Sequence, residues 1–326
     1  MRLEKILFVS GAVHSFRKKD LDILRKHFVV DVITGKLSPV RLVKSIKKIL
    51  ENDVIFSWFV SKRAFYFVLL SKLLDKKYIL VSGGNDIVEV PEIGYTFGTF
   101  QKFIIKLTLL LSDKVLAFSN SSKKSILELA PKANVETVYV GAIDTEMFKP
   151  SVKEEDLIIT VGCLMWSNME RKGLKTFVET ARYLPSKKFV VIGKFEDDSV
   201  DYLKSISTPN VIFTGYLPLE QLLKYYQKAK VYVQVSAHEG FGISIAEAMA
   251  CECIPVVTKK AAIPEVVGNA GYYVPFNDPK ATAEAIEMAL KDEGKSKKAR
   301  ERINVLFTLE RREKELKRII ETLTKG

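Results

Sequence analysis

Short apolar runs alternate with stretches of helical period along nearly the whole chain, the pattern of parallel sheets joined by crossover helices. In the first half these runs predict strands at Ile6–Ser10, Val29–Thr34, Val54–Val60, Tyr78–Ser82, Val115–Ser119 and Thr137–Val140. In the second half they predict strands at Leu157–Gly162, Lys188–Gly193, Val211–Gly215, Val231–Val235 and Pro255–Thr258. Helices fill the gaps. Two of them announce their starts, because Ser38-Pro39 and Asp278-Pro279 each set a capping side chain before a first-turn proline whose missing N–H costs nothing there. A charged, proline-containing segment at Lys149–Asp156 separates the two series. The expectation is an α/β fold with two Rossmann-like domains, residues 1–150 and 151–308, followed by a highly charged helix within 309–326.

A length of 326 residues suits two domains that each bury a core. Cys163, Cys251 and Cys253 cannot form a disulfide framework, and with three histidines there is no zinc pattern, so no metal is expected. The N-terminus does not read as a signal peptide, and no stretch reaches the ~18 uninterrupted apolar residues of a spanning helix. A reducing cytoplasm is the expected setting.

Charge changes the picture in one respect. Of the net +12, residues 1–150 carry 24 Lys and Arg against 15 Asp and Glu, whereas residues 151–326 carry 27 against 24. The basic half lacks the interleaved aromatic and basic modules of nucleic-acid binders, which leaves an anionic membrane surface or a phosphorylated acceptor as its expected partner. Two segments are candidates for that surface. SPVRLVKSIKKIL sets Arg41, Lys44, Lys47 and Lys48 along one helix and reads as membrane-facing; the apolar Phe97–Leu111, with Lys102 and Lys106, reads rather as a core helix with exposed lysines.

The chemistry concentrates in SAHEGFGISIAEAMACECIPVV. Glu239 and Glu247 stand eight positions apart around a turn bracketed by Gly240 and Gly242, after a strand and at the start of a helix. Without side chains the two glycines admit ligand atoms to the backbone, and the free amides at the helix start favour an anion. A competing reading makes Ser244-Ile-Ala-Glu247 a capping box, with Glu247 serving only the helix. Upstream, Arg171-Lys172-Gly173 precedes a helix beginning near Leu174 and offers cations at the same sheet edge; its alternative is a solvated basic turn.

The pattern E-G-F-G-x-x-x-x-E-A-M-A, followed by IPEVVGNAGYYVPFNDPKATAEAI, resembles the carboxy-terminal half of the retaining GT-B glycosyltransferases of glycosyltransferase family 4. The likeness continues upstream through VIFTGYLPLEQLLKYYQKAKVYVQVS and VGCLMWSNMERKGLKTFVETARYL, and more faintly through SDKVLAFSNSSKKSILE and VYVGAIDTEMFKP. It implies a GT-B fold with two parallel-sheet domains facing across a cleft, the acceptor on the first and a UDP- or GDP-linked sugar on the second. It also implies a final helix that crosses back to the first domain. In that frame Glu239 receives donor-sugar hydroxyls and Glu247 the ribose, the amides around Phe241, Gly242, Ile243 and Ser244 bind sugar and phosphates, and Gly215-Tyr216 flanks the base. Tyr216 as ordinary core or rim is the alternative. Lys172 matches the family's diphosphate-binding lysine. The family arginine that follows the strand's glycine, Gly162 here, is replaced by Cys163, with Arg171 as the candidate to compensate.

The implied reaction is metal-independent transfer with retention, needing no protein nucleophile and no cofactor, onto a glycan or lipid-linked acceptor, in the cytoplasm at the inner face of a membrane. On the acceptor side the family histidine is missing from Ser82-Gly83-Gly84-Asn85-Asp86, which leaves Gly11, His14 and Asp86 as candidates, Asp86 alternatively as a plain turn residue. A non-catalytic sugar-nucleotide binder, or a GT-B epimerase or phosphorylase, would carry the same features. A Rossmann oxidoreductase is disfavoured because no G-x-G-x-x-G follows the first strand.

Overall fold

The computed structural model describes residues 4–13, 15–35 and 39–325, and its contacts divide the chain into two units. One takes residues 1–89, 95–142 and 309–326; the other takes 90–94 and 143–308.

The first unit alternates β1 (Lys5–Val9), α1 (Ser15–His27), β2 (Val29–Ile33), α2 (Pro39–Glu51), β3 (Val54–Trp58), α3 (Lys62–Leu73), β4 (Lys77–Ser82), α4 (Thr99–Leu111), β5 (Lys114–Ala117), α5 (Asn120–Leu129) and β6 (Val135–Thr137). Its six strands are parallel in the order β2-β1-β3-β4-β5-β6. Buried Leu7, Ile55, Leu80 and Val115 carry the sheet's share of a core closed by Phe67, Ile105 and Leu109. The last strand differs from the expected Thr137–Val140. The Val138 amide still donates to the Ala117 carbonyl at the end of β5 at 2.9 Å, but the carbonyls of Val138 and Tyr139 are taken by the Arg312 guanidinium at 3.1 and 2.8 Å, so the ladder stops there. The Ser38 cap lies outside the described residues.

The second unit runs β7 (Glu154–Val161), α6 (Trp166–Met169), α7 (Leu174–Thr180), β8 (Lys188–Ile192), α8 (Ser199–Ile206), β9 (Val211–Phe213), α9 (Leu219–Lys228), β10 (Ala229–Gln234), α10 (Ile243–Ala250), β11 (Ile254–Thr258), α11 (Ile263–Val267), β12 (Tyr272–Val274), α12 (Pro279–Lys291) and α13 (Lys295–Leu306). Its six parallel strands follow the order β12-β11-β10-β7-β8-β9. Asp278 caps α12 as expected, accepting from the Ala281 amide at 2.9 Å. Strand β12 was not read from the sequence, because three residues between a glycine-containing turn and Pro275 leave too short a run to show alternation.

Helix α14 (Leu309–Lys325) closes the first unit. Leu316, Ile319 and Ile320 are buried, and Arg312 meets both carboxylate oxygens of Asp20 on α1 at 2.6 and 2.7 Å.

Candidate active site

Parallel pairing brings the carboxyl ends of β7, β8, β9 and β10 to one edge of the second sheet, where open α/β sheets bind ligands. The Gly162 and Gly193 backbones abut there. Gly193 has φ +159°, and a Cβ on it would fall 1.9 Å from the Gly162 carbonyl oxygen. Over Gly162 runs the Lys172 stem, whose Cδ would lie 3.0 Å from a Cβ at that position. The ammonium at its end reaches Glu239 Oε1 at 3.2 Å.

Glu239 is half-buried in the turn after β10, and its Oε1 also accepts from Gln234 Nε2 at 2.6 Å and Ser236 Oγ at 3.2 Å. Burial pushes this carboxyl up, but the Lys172 and Arg171 charges and the hydrogen bonds outweigh it and hold the group below its usual range. The turn then enters α10 through Gly242, at φ +95°, a conformation open to glycine.

The capping-box reading fails here. Gly242 occupies the cap position with no side-chain hydrogen bond, and Ser244 stands inside the helix, donating instead to Gln234 Oε1 at 3.0 Å. Glu247, one turn further, accepts from the Tyr226 hydroxyl at 3.2 Å. The Phe241 side chain is buried edge-on against Phe307 at 5.2 Å, so the ring is not presented at the turn's surface. Ile243 is half-buried, and Gly240 lies between Glu239 and Phe241 in the partly open turn. Gly215 has φ +72°, and Tyr216 beside it is 71% exposed, which removes the core alternative for that ring.

Three residues beside this turn were not among the candidates read from the sequence. Gln234, 1% exposed, spends its whole amide: Oε1 accepts from the Tyr232 hydroxyl at 2.7 Å and from Ser244, while Nε2 serves Ser236 and Glu239. Asn168 donates to the Cys163 carbonyl at 2.9 Å and accepts from the Arg171 guanidinium, tying the cation to the backbone of the exposed cysteine. His238 is buried with no hydrogen-bond partner at Nε2 among the described residues; burial first pulls its pKa down, with Arg171 adding to it and Glu239 opposing. Only His238 had a signal, a polar residue directly before the first glutamate.

The acceptor-side candidates belong to the first unit. Gly11 is exposed and its carbonyl accepts from the Gly35 amide at 3.0 Å. His14 lies outside the described residues. Asp86 is engaged by two strand ends: Oδ2 accepts from the Val60 amide after β3 at 2.8 Å and from Ser82 Oγ at the end of β4 at 2.6 Å, and Oδ1 accepts from the Gly84 amide of its own loop at 2.9 Å. Burial raises its pKa against these bonds. These bonds give Asp86 the structural part of a turn residue. Among the described residues, no group of three or more His, Cys, Asp or Glu side chains is placed to hold a metal ion.

Residues 143–304 match the family model described as Glycosyl transferases group 1. The matched residues all fall in the second unit. Among curated proteins, the chain is 37% identical over 101 residues to O-antigen chain mannosyltransferase B of Escherichia coli, covering 30% of this chain and 26% of that protein. It is 27% identical over 225 residues to the capsular polysaccharide biosynthesis glycosyltransferase CapM of Staphylococcus aureus, covering 60% and 57%. The chain thus spans between a quarter and somewhat over half of these relatives' lengths. Among solved structures, Anabaena HepE in complex with UDP and glucose superposes with a TM-score of 0.79 at 18% identity, covering 99% of this chain and 100% of that one. Sucrose-phosphate synthase of Thermosynechococcus elongatus gives 0.78 at 17%, covering 98% and 99%. The fold is therefore GT-B, an α/β architecture of two Rossmann-like units.

Proposed function

We propose that this protein is a retaining, metal-independent glycosyltransferase of glycosyltransferase family 4, moving a sugar from a UDP- or GDP-linked donor to a glycan or lipid-linked acceptor. The observation that carries the reading is the meeting of Lys172 and Glu239, 3.2 Å apart, beside a turn whose backbone is bare at Gly240 and Gly242. As the bond from the anomeric carbon to the phosphate oxygen breaks, negative charge gathers on the leaving diphosphate. Lys172 meets it, with Arg171 as a second cation in place of the family arginine that Cys163 replaces. Glu239 Oε1 is committed to protein donors, which leaves Oε2 for hydroxyls of the donor sugar. Glu247 takes the ribose, the first amides of α10 take the phosphates, and Gly215 with Tyr216 flanks the base. The acceptor oxygen attacks from the same face and its proton passes to the leaving phosphate oxygen, so no protein nucleophile is consumed.

Relatives named for O-antigen and capsule synthesis support the glycan side, and one named for a diphospho-undecaprenol substrate supports a lipid-linked acceptor. That acceptor class suits work in the cytoplasm at the inner face of a membrane, in contact with anionic lipid. The first unit then supplies the acceptor side, with Gly11 as a backbone contact and Asp86 shaping the loop.

Thermal-shift measurements against UDP, GDP and ADP test the reading, with Glu247→Ala as the control. A ligand at a hundred times its Kd stabilises by about 2.7 kcal/mol. A UDP or GDP shift lost in the variant is the expected result, and no shift with any nucleotide sinks the proposal. The exposed Cys163 at the arginine position favours one second reading, a sugar-nucleotide binder without turnover. Release of free nucleotide diphosphate from a panel of donors separates that from transfer.

A further inference from the structure

One helical layer of the first unit points apolar side chains away from the core. Strands β2, β3, β4 and β5 succeed one another in a single direction, so right-handed crossovers set α2, α3 and α4 on the same face of the sheet, with α3 packed against both others. Each helix buries apolar residues inward and carries others outward. On α4, Phe100 is 72% and Phe103 55% exposed, with Leu110 on the same side; on α3, Leu69 and Leu73 are exposed; on α2, Val43, Ile46 and Leu50. The three- and four-residue spacings put each set along one side of its helix. Isolated exposed hydrophobes are ordinary, but a run of them across three neighbouring helices marks an interaction surface. The core-helix expectation for Phe97–Leu111 is thus half right: Ile105, Thr108 and Leu109 are buried, but the two phenylalanines are not.

The charges in this layer are predominantly cationic. Exposed Lys44, Lys62 and Lys106 carry no ion pair among the described residues, whereas Lys47, Lys72 and Lys102 pair with Glu51, Asp113 and Glu89 at 3.8, 2.7 and 2.8 Å. Lys48 turns inward to the Val32 carbonyl, and the Arg41 side chain lies outside what is described. Beside Phe100 opens a cavity of about 630 Å³, walled by Phe65, Ile104, Ile105 and Tyr95 and bordered by Lys62. That volume falls within the ordinary range of small-molecule pockets. Asp86 also lines it, with its oxygens engaged by the Val60 and Gly84 amides.

We propose that this layer is a docking face for an anionic lipid membrane, with the outward side chains of α2 and α4 entering the headgroup boundary and the cavity beside Phe100 receiving the apolar chain of one lipid. Charge complementarity selects this occupant: unpaired ammonium groups interleaved with exposed aromatic and aliphatic side chains match anionic headgroups above hydrocarbon. The proposal gives a location to the membrane contact in the functional reading above. Its test measures binding alone, so the failure of either leaves the other standing.

The experiment is co-sedimentation of the full chain with vesicles of phosphatidylcholine, with and without phosphatidylglycerol. Binding at least about tenfold tighter to the anionic vesicles, weakening with salt, is expected. Phe100→Ser/Phe103→Ser, at exposed positions that leave the melting temperature unchanged, reduces it at least about tenfold, and Lys62→Glu/Lys106→Glu removes the preference for anionic lipid. For the cavity, calorimetry with octyl phosphate is expected to show binding that inorganic phosphate does not give and that bulk at the rim, Gln101→Trp, abolishes. Equal binding to neutral vesicles, or undiminished binding by the phenylalanine variant, overturns the docking face. So does a dimer in solution that the phenylalanine variant converts to monomer, since the occupant is then a second copy. Octyl phosphate binding that survives Gln101→Trp overturns the role of the cavity.

Discussion

The Gln234 amide nitrogen lies 2.6 Å from Glu239 Oε1, and the oxygen of the same amide accepts from Ser244 at 3.0 Å, so one buried side chain spans the turn that carries both glycines. Replacing it with leucine preserves volume but strips a donor from a carboxylate and leaves the Tyr232 and Ser244 hydroxyls without their acceptor. Gln234→Leu should lose about 2–3 kcal/mol in urea unfolding and weaken the nucleotide-induced thermal shift. Wild-type stability together with a full shift would show that the turn holds its shape without the amide.

Lys172 is the cation that reaches the acidic side of this turn, 3.2 Å from Glu239. Under the proposed mechanism Lys172→Ala should cut turnover at least about a hundredfold, because it leaves Arg171 as the one cation proposed to meet the leaving diphosphate. The readout is nucleotide diphosphate release under single-turnover conditions. Rates near wild type would remove Lys172 from the chemistry.

Acid stability should report on His238. Its imidazole is held below 6.5, first by burial and then by Arg171, with Glu239 opposing. The unfolded chain therefore takes up this proton before the folded one does. The stability involved is complete above the unfolded value and is lost as pH falls from there toward the lower folded value. His238→Gln should flatten the fall in unfolding free energy that sets in below about pH 6.5, while the loss from protonating Glu239, held below its usual range, persists at lower pH. An unchanged profile in the variant would place the titration elsewhere.

At Gly193 any side chain meets backbone. The Cβ of an alanine would lie 1.9 Å from the Gly162 carbonyl oxygen, at a φ of +159° that L residues rarely adopt. Gly193→Ala should destabilise by at least about 2 kcal/mol and broaden NMR signals from the Gly162 and Lys172 region. A variant as stable as the parent would mean the two strand ends can separate freely.

The buried Arg312–Asp20 pair ties α14 to α1 with almost no solvent exposure on either partner. Arg312→Leu leaves Asp20 buried without its cation and should cost about 3–5 kcal/mol, whereas Arg312→Leu/Asp20→Leu should recover most of it. Chemical denaturation of the two variants makes the comparison. Equal losses would mean that packing, not charge, holds the helix.

The sequence by itself determined the α/β class, eleven of the twelve strands to within a few residues, and the turn from Glu239 to Glu247, because each is written in local periodicity or in glycine placement. It did not determine which side chains share a hydrogen bond. Gln234 lies in an apolar strand where only folding gives its amide four partners. Asn168 gains its role when α6 sets it between Cys163 and Arg171, and Asp86 loses its freedom because the Val60 amide arrives from another strand end. Ser244 and Glu247 had the spacing of a cap, and only tertiary packing, with Gly242 in the cap position and Tyr226 beside the carboxylate, decided otherwise. The outward phenylalanines of α4 were hidden for a related reason. Hydrophobicity in a sequence says that a residue avoids water, but only the packed layer shows which residues find cover within the chain and which must find it elsewhere.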